Sequence, residues 1–310
     1  MDSWGKLNKI TFTDDGQVLY SGRMIESETY KKCVEKQKLS PSITVGPVEP
    51  NDWTMEEYMH VGLFDNTNVI LWRLGAENPK NATYIATTDY PLVHTIDPES
   101  LAVTGRHSWL NPLDGMSMMT ASHWRREIGS DSSLNFHQLM DPLHPMQPNL
   151  VLFRFGSTLD EHEEVSRFSV DHTSYIHMMT NTPKYAVIIL YPVTMNLLVL
   201  PQNNLHPLET LEQVDGPCTI KLVNLVNGDV LSFETEDPSM VFATHIANAW
   251  EEGEEQVVFD LATNPWDAMA EYLDRDTMLH HPHTESDLAG QVRLAPFCKN
   301  FNLLFNHFRS

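Results

Sequence analysis

Basic side chains are in short supply in this sequence: 20 lysines and arginines stand against 42 aspartates and glutamates in 310 residues, a formal charge of −22. A surface so acidic repels a phosphate backbone and an anionic bilayer alike, which excludes nucleic acid as a partner and leaves at most peripheral contact with a membrane. Cysteine is scarce too. Cys33, Cys218 and Cys298 are an odd, scattered set that offers no disulfide framework and fits a reducing, cytoplasmic setting. The opening MDSWGKLNKI has no basic-then-apolar leader. Long apolar runs are missing as well. The most apolar stretch, YAVIILYPVTMNLLVL, is interrupted by Pro192 and Asn196 and falls short of the roughly 20 residues a membrane helix needs. It reads as two buried strands. With 41% hydrophobic residues the chain still has enough apolar surface for a sizeable core.

Helical periodicity is sparse, and what recurs is a short strand, a turn signal and another strand. ITFTDDGQVLY sets two alternating runs around Asp15-Gly16, and TIKLVNLVNGDVLSFET does the same around Asn227-Gly228, so both predict antiparallel hairpins. Further strands are expected at 69–74, 83–88, 150–155 and 256–262, where β-branched and aromatic residues concentrate. One helix is expected in NPWDAMAEYLDRDTML, with Asn264 as its N-cap and Pro265 at its first position. HHPHTESD reads as an exposed loop. No linker divides the chain, so residues 1–310 are read as a single all-β domain with few helical insertions. Many short strands suit a sandwich, a barrel or a propeller, and four-stranded units favour the propeller although no clean repeat period is visible.

The chain carries 15 histidines. His280, His281 and His283 form a small cluster that is more simply a solvated loop than a metal site. His60, His94, His107, His137, His144, His162, His172 and His206 lie in polar or turn-like contexts and are read as surface residues. His123, His177 and His245 differ, because each lies in or beside a strand-like apolar run. Their separations of 54 and 68 residues rule out one helix or hairpin. Such spacing suits one ligand from each of several blades facing a common axis, or else three separate hydrogen-bonded core histidines.

The sequences around these histidines carry a resemblance. SYIHMMTNTPKYAVIILYPVTMNLL resembles the carotenoid cleavage oxygenase segment in which Ser-Tyr-x-His precedes a Thr, an aromatic and a pair of apolar strands ending in Asn-Leu. FATHIANAWEEGEEQVVFDL is similar to the same family's Phe-x-x-His-x-x-Asn-Ala-aromatic-Glu stretch. Upstream, ITFTDDGQVLYSGRMIESETYKKC, DNTNV and TTDYPLVHTIDPESLAVTGR resemble its earlier blades, in the style of animal β-carotene oxygenases and the retinal pigment epithelial membrane protein. The resemblance runs from about Lys6 to Leu294.

It implies a β-propeller, seven-bladed in the family and incomplete here, lacking the family's N-terminal strand and C-terminal blades. It also implies one iron(II) held on the axis by histidines. By position His123, His177 and His245 match the first three ligands, and His307 in LLFNHFRS is a further candidate for the fourth. The match at ASHWRREIGSDSSLNFH departs from the family's Ala-His-Pro-x-x-Asp pattern, with Gly129 and Asn135 keeping only its end. Asp89 falls where the family places a ligand-orienting glutamate, one methylene shorter, and would reach its histidine directly or through water. Trp72, Met116, Met118, Met119, Met178 and Met179 are candidates either for the lining of an apolar substrate tunnel or for ordinary core. VEPNDWTMEEYMHVGLF is acidic where membrane-bound members are basic and Phe-rich, so tight attachment through it is not expected. The activity implied is oxidative cleavage of a carotenoid double bond with O2 to apocarotenoid aldehydes such as retinal, with no catalytic residue beyond the metal site. A catalytically impaired carotenoid or retinoid binder, or an inactive fragment, is the alternative.

Overall fold

The chain is described here from a computed structural model, which covers residues 4–40, 52–61, 65–75, 82–109, 116–141, 144–196, 207–235, 242–253 and 256–264, together with 199 and 266. The first elements are β1 (Lys6–Phe12) and β2 (Val18–Met24), an antiparallel hairpin with Phe12 opposite Val18. Gly16 turns it at φ 81°, where a side chain would be strained. Two helices follow, α1 (Glu28–Lys36) and α2 (Met55–Val61), neither expected from periodicity. The reason is visible in α1, where only Thr29 and Cys33 are buried and the ends carry the stability instead. Ser27 Oγ accepts from the Tyr30 amide at 3.1 Å, and Asp65, far along the chain, accepts from the Glu28 amide at 2.8 Å.

Three antiparallel meanders then succeed one another. The first is β3 (Ile70–Leu74), β4 (Thr83–Thr87), β5 (Leu92–Ile96) and β6 (Val103–Ser108), hydrogen-bonded in that order. The second comprises β7 (Met116–Thr120), β8 (Arg125–Arg126), β9 (Ser133–Asp141), β10 (His144–Phe155) and β11 (His162–Ser169), ordered β11-β10-β9-β7 with β8 also on β9. The third is made of β12 (Thr180–Asn181) and β13 (Tyr185–Leu190) with two later strands. A side ladder of β14 (Val193–Met195) and β15 (Leu211–Gln213) intervenes before β16 (Thr219–Asn224) and β17 (Val230–Glu234) complete the order β12-β13-β16-β17. Last come β18 (Phe242–Glu252) and β19 (Gln256–Asn264), a two-stranded ladder. The expected hairpins and strands are all present. The expected helix after Asn264 and the loop at 280–287 lie outside the described residues, apart from Asn264, which closes β19, and Trp266.

Each sheet packs face to face on its successor. Leu7 and Ile25 meet Ala86 and Ile96; Leu74, Ile85 and Val93 meet Trp124 and Phe155. Leu150 and Leu152 meet Ala186 and Ile188; Val187 and Ile189 meet Phe242, Val257 and Phe259. Alternate residues of β13 therefore enter opposite cores, which is why YAVIIL is an unbroken apolar run. Serial stacking of antiparallel meanders is propeller-type, and among the described residues the ring is not closed by pairing of the first ladder with the last. Among the described residues no helix is long and apolar enough to cross a membrane.

Two expectations need correction. His94 and His137 are not surface residues: they are 2% and 3% exposed. β9 lies inside its sheet and is covered on both faces, so its polar Asn135, His137 and Gln138 are buried with their partners despite a polar-looking sequence. Met118, Met119, Met178 and Met179 are all buried, and the last three belong to the cores between sheets. Trp72 donates to Ser133 Oγ at 3.1 Å and lies under the Arg126 guanidinium. Met116 has no described side chain.

Candidate metal centre

The inner ends of successive sheets bring the three singled-out histidines together. His123 follows β7 in the second sheet, His177 precedes β12 in the third, and His245 stands on β18. A parallel bridge between His123 and Met178 joins the first two segments. Asn135 from β9 grips the chain just ahead of His123, its amide accepting from the Ala121 N–H at 3.2 Å and donating to the Ala121 carbonyl at 3.1 Å. In β18, register shifts on both sides of His245–Ile246 break the ladder with β19, a device that re-aims side chains beside functional sites.

One ring nitrogen from each histidine lies within 4.8 Å of the other two. His123 Nε2 and His177 Nε2 are 3.1 Å apart, and the ring centroids are separated by 4.7, 5.0 and 5.3 Å. His123 and His177 are partly buried and His245 is exposed. Asp89, in the turn after β4, reaches His177 directly: Nδ1 lies 2.9 Å from Oδ2 and 3.1 Å from Oδ1. A carboxylate only accepts, so Nδ1 carries the proton and the Nε2 side of the ring faces the other histidines. Asp89 is itself held by the Tyr175 hydroxyl at 2.9 Å and the Ser122 amide at 3.2 Å.

The electrostatics divide the trio. Burial, reinforced by its two imidazole neighbours, pushes His123 down to about 4. His245 is lowered by desolvation and by His177 and Arg125. For His177 burial opposes the charge, but the charge and hydrogen bond of Asp89 outweigh it and raise the pKa. Asp89 in turn stays below the usual carboxylate value despite desolvation, because His177, Ser122 and Tyr175 stabilise its anion. Burial and the Asp89 charge raise Tyr175 well above the ordinary phenol, which keeps it a donor. Asp89 thus extends the imidazolium form of His177 to higher pH, and in that form its second proton faces His123 Nε2, 3.1 Å away.

This donor set fits a divalent transition metal. Two nitrogens at right angles about 2.1 Å from one cation are about 3 Å apart, close to the spacing of the two Nε2 atoms. Neutral imidazoles suit iron, cobalt or zinc, and a carboxylate behind one ligand fixes its tautomer. His307 lies outside the described residues. Tyr175, Ser122 and Arg125 were not singled out by sequence reasoning. Tyr175 and Arg125 each stand two positions from one of the clustered histidines, and that proximity was the available signal.

The chain matches the retinal pigment epithelial membrane protein family over residues 1–303. Among solved structures it is similar to a tryptophan-to-alanine variant of Synechocystis apocarotenoid oxygenase (ACO), with a TM-score of 0.66, 18% identity and coverage of 84% of this chain and 52% of that one. An ACO/RPE65 chimera gives 0.65, 18%, 84% and 52% by the same measures. Cobalt-substituted Synechocystis ACO gives 0.60, 18%, 84% and 52%. The chain spans about half the length of the solved structures it matches, and at this identity the likeness establishes a shared fold. No curated protein is significantly similar to it.

Proposed function

The chain belongs to the retinal pigment epithelial membrane protein family, and on that premise we propose that it is a carotenoid oxygenase-type protein whose His123, His177 and His245 hold one iron(II). The observation that carries this reading is the convergence of three imidazole nitrogens from three sheets, with Asp89 hydrogen-bonded behind one of them. Iron bound there supplies activation of O2 for oxidative scission of a polyene double bond to two carbonyl products. The protein's own residues do the rest. Asp89, fixed by Tyr175 and Ser122, holds His177 in the tautomer that presents Nε2, and burial lowers the pKa of both His123 and His245, which favours the neutral rings a metal needs.

The test is iron content and polyene bleaching with O2 uptake, measured on the full chain after anaerobic loading with iron(II). The expected result is about one iron per chain, held by the three-histidine set and lost in His245→Ala, with bleaching that follows the iron. A chain that takes no iron above the mutant background overturns the reading. A chain that takes iron and binds a polyene, red-shifted and stable in air, is instead a binding member of the family; the exposure of His245 favours keeping that second reading in the test.

A further inference from the structure

We propose that Arg125 is a positioning residue of the metal centre, its guanidinium spanning two ligand segments and setting where His245 stands relative to His123 and His177. The inference rests on the metal-binding reading above.

The three histidines come from separate sheets, so their mutual spacing is a product of tertiary contacts. Two of them have local support. His177 is held by Asp89, and the His123 segment bridges to Met178 through its backbone. His245 differs, because among the described residues no hydrogen bond reaches its ring. Its position follows from the backbone of β18, and the ladder with β19 is irregular on both sides of His245–Ile246. What holds that backbone comes from the other ligand segments. Arg125 donates from Nη2 to the Ile246 carbonyl at 3.0 Å and from Nε to the Met179 carbonyl at 2.9 Å. The Ile246 amide donates to Met178 Sδ at 3.3 Å, and Arg125 Nη2 lies 3.6 Å from the same sulfur.

Arg125 is therefore anchored two residues after His123, grips the chain two residues after His177, and grips it again one residue after His245. Its own backbone is fixed on β9, opposite Leu134. A planar guanidinium holds two diverging acceptors at a set angle, which the ammonium of lysine does not reproduce. Charge and geometry predict opposite signs for its removal. A cation near the site disfavours binding of a dication, so if Arg125 acted only through charge its loss would tighten metal binding. If it positions His245, its loss weakens binding.

The experiment is titration of the full chain with cobalt(II), followed by ligand-field absorption, in the wild type, Arg125→Met, Arg125→Lys, His245→Ala and the Arg125→Met/His245→Ala double variant. Both Arg125 variants are expected to bind cobalt about tenfold or more weakly, the range seen for residues that orient ligands, and to lose the absorption contributed by the third imidazole. In the His245→Ala background the Arg125 substitution is expected to cause no further weakening, since no third ring is left for it to position. Cobalt binding by Arg125→Met as tight as wild type or tighter overturns the proposal, and so does a weakening that persists undiminished without His245. Should Arg125→Met not fold by circular dichroism, Arg125→Lys carries the test: wild-type affinity in that variant overturns the two-pronged span. A wild type that takes no cobalt overturns the metal-centre reading and this inference with it. A wild type that binds while the Arg125 variants are unaltered overturns this inference alone.

Discussion

His137 and His177 are both histidines in strand-rich cores, and the more deeply buried of the two is not the candidate ligand. His137 is 3% exposed, its Nδ1 lies 2.9 Å from Ser117 Oγ, and its ring sits against Trp109 and Phe153. Burial pushes it down to about 3, so it stays neutral and serves as packing with one hydrogen bond. The His177 side chain is 16% exposed, its Nδ1 meets a carboxylate, and its Nε2 meets another imidazole. Burial alone does not make a metal ligand. What does is a lone pair aimed at space shared with other donors, and an anion behind the ring that fixes the tautomer and raises its basicity. His94, buried and hydrogen-bonded to Thr67 at 3.0 Å, stands with His137.

The sharpest way to break this contrast is to remove the anion. Asp89→Asn keeps a side chain of the same shape behind His177 but removes the charge, and metal affinity is expected to fall about 10- to 100-fold. Calorimetric titration with cobalt(II) or zinc(II) checks it. Unchanged affinity would mean that Asp89 is a structural partner of Tyr175 and Ser122, leaving His177 no different in kind from His137.

A pH titration of the same binding separates the two kinds of histidine by a smaller margin. The raised pKa of His177 means that, below it, a proton occupies the site the metal needs. Affinity is therefore expected to rise with pH, by up to about tenfold per unit, and to level off above the His177 pKa, with one proton released per metal bound below that pKa and none above it. His123, held down at about 4, adds no competition near neutrality, and the lowered pKa of His245 weakens its own. In Asp89→Asn the levelling point moves to lower pH, because the group that raises His177 is gone. Proton release measured in buffers of different ionisation enthalpy decides it; a flat profile from pH 5 to 8 would show that His177 is neutral without metal.

Much of this was legible in the sequence, for definite physical reasons. Turn glycines and alternating apolar residues are local signals, so the hairpin around Asp15-Gly16 and the doubly buried β13 could be read directly. The convergence of His123, His177 and His245 followed from motif resemblance together with spacings too wide for a single element. Other features depend on partners distant in the chain. Helix α1 has its first amide groups held by Asp65, and its nine residues bury only Thr29 and Cys33, one turn apart, a stripe too short to stand out. His137 looks exposed in SSLNFHQLMD because nothing local tells that β9 is covered on both faces. Arg125, in a segment that departs from the family pattern, reveals its role only through carbonyls of two other sheets.

The remaining prediction has the smallest expected effect on the metal and the clearest effect on the fold. His137→Ala deletes a buried ring and leaves Ser117 Oγ without its partner, a change expected to cost about 1–3 kcal/mol of stability. Urea denaturation of metal-free protein measures it as a lower midpoint at unchanged slope. Cobalt(II) affinity, by contrast, is expected to stay within about twofold of wild type, since His137 contributes no donor to the site and mutations without shared partners act independently. If affinity fell along with stability, the two histidines would not be independent: packing around β9 would reach the centre through Asn135, which grips Ala121 two residues before His123. Asn135→Ala then separates the routes, because it loosens that grip while leaving the His137 ring and its Ser117 contact in place.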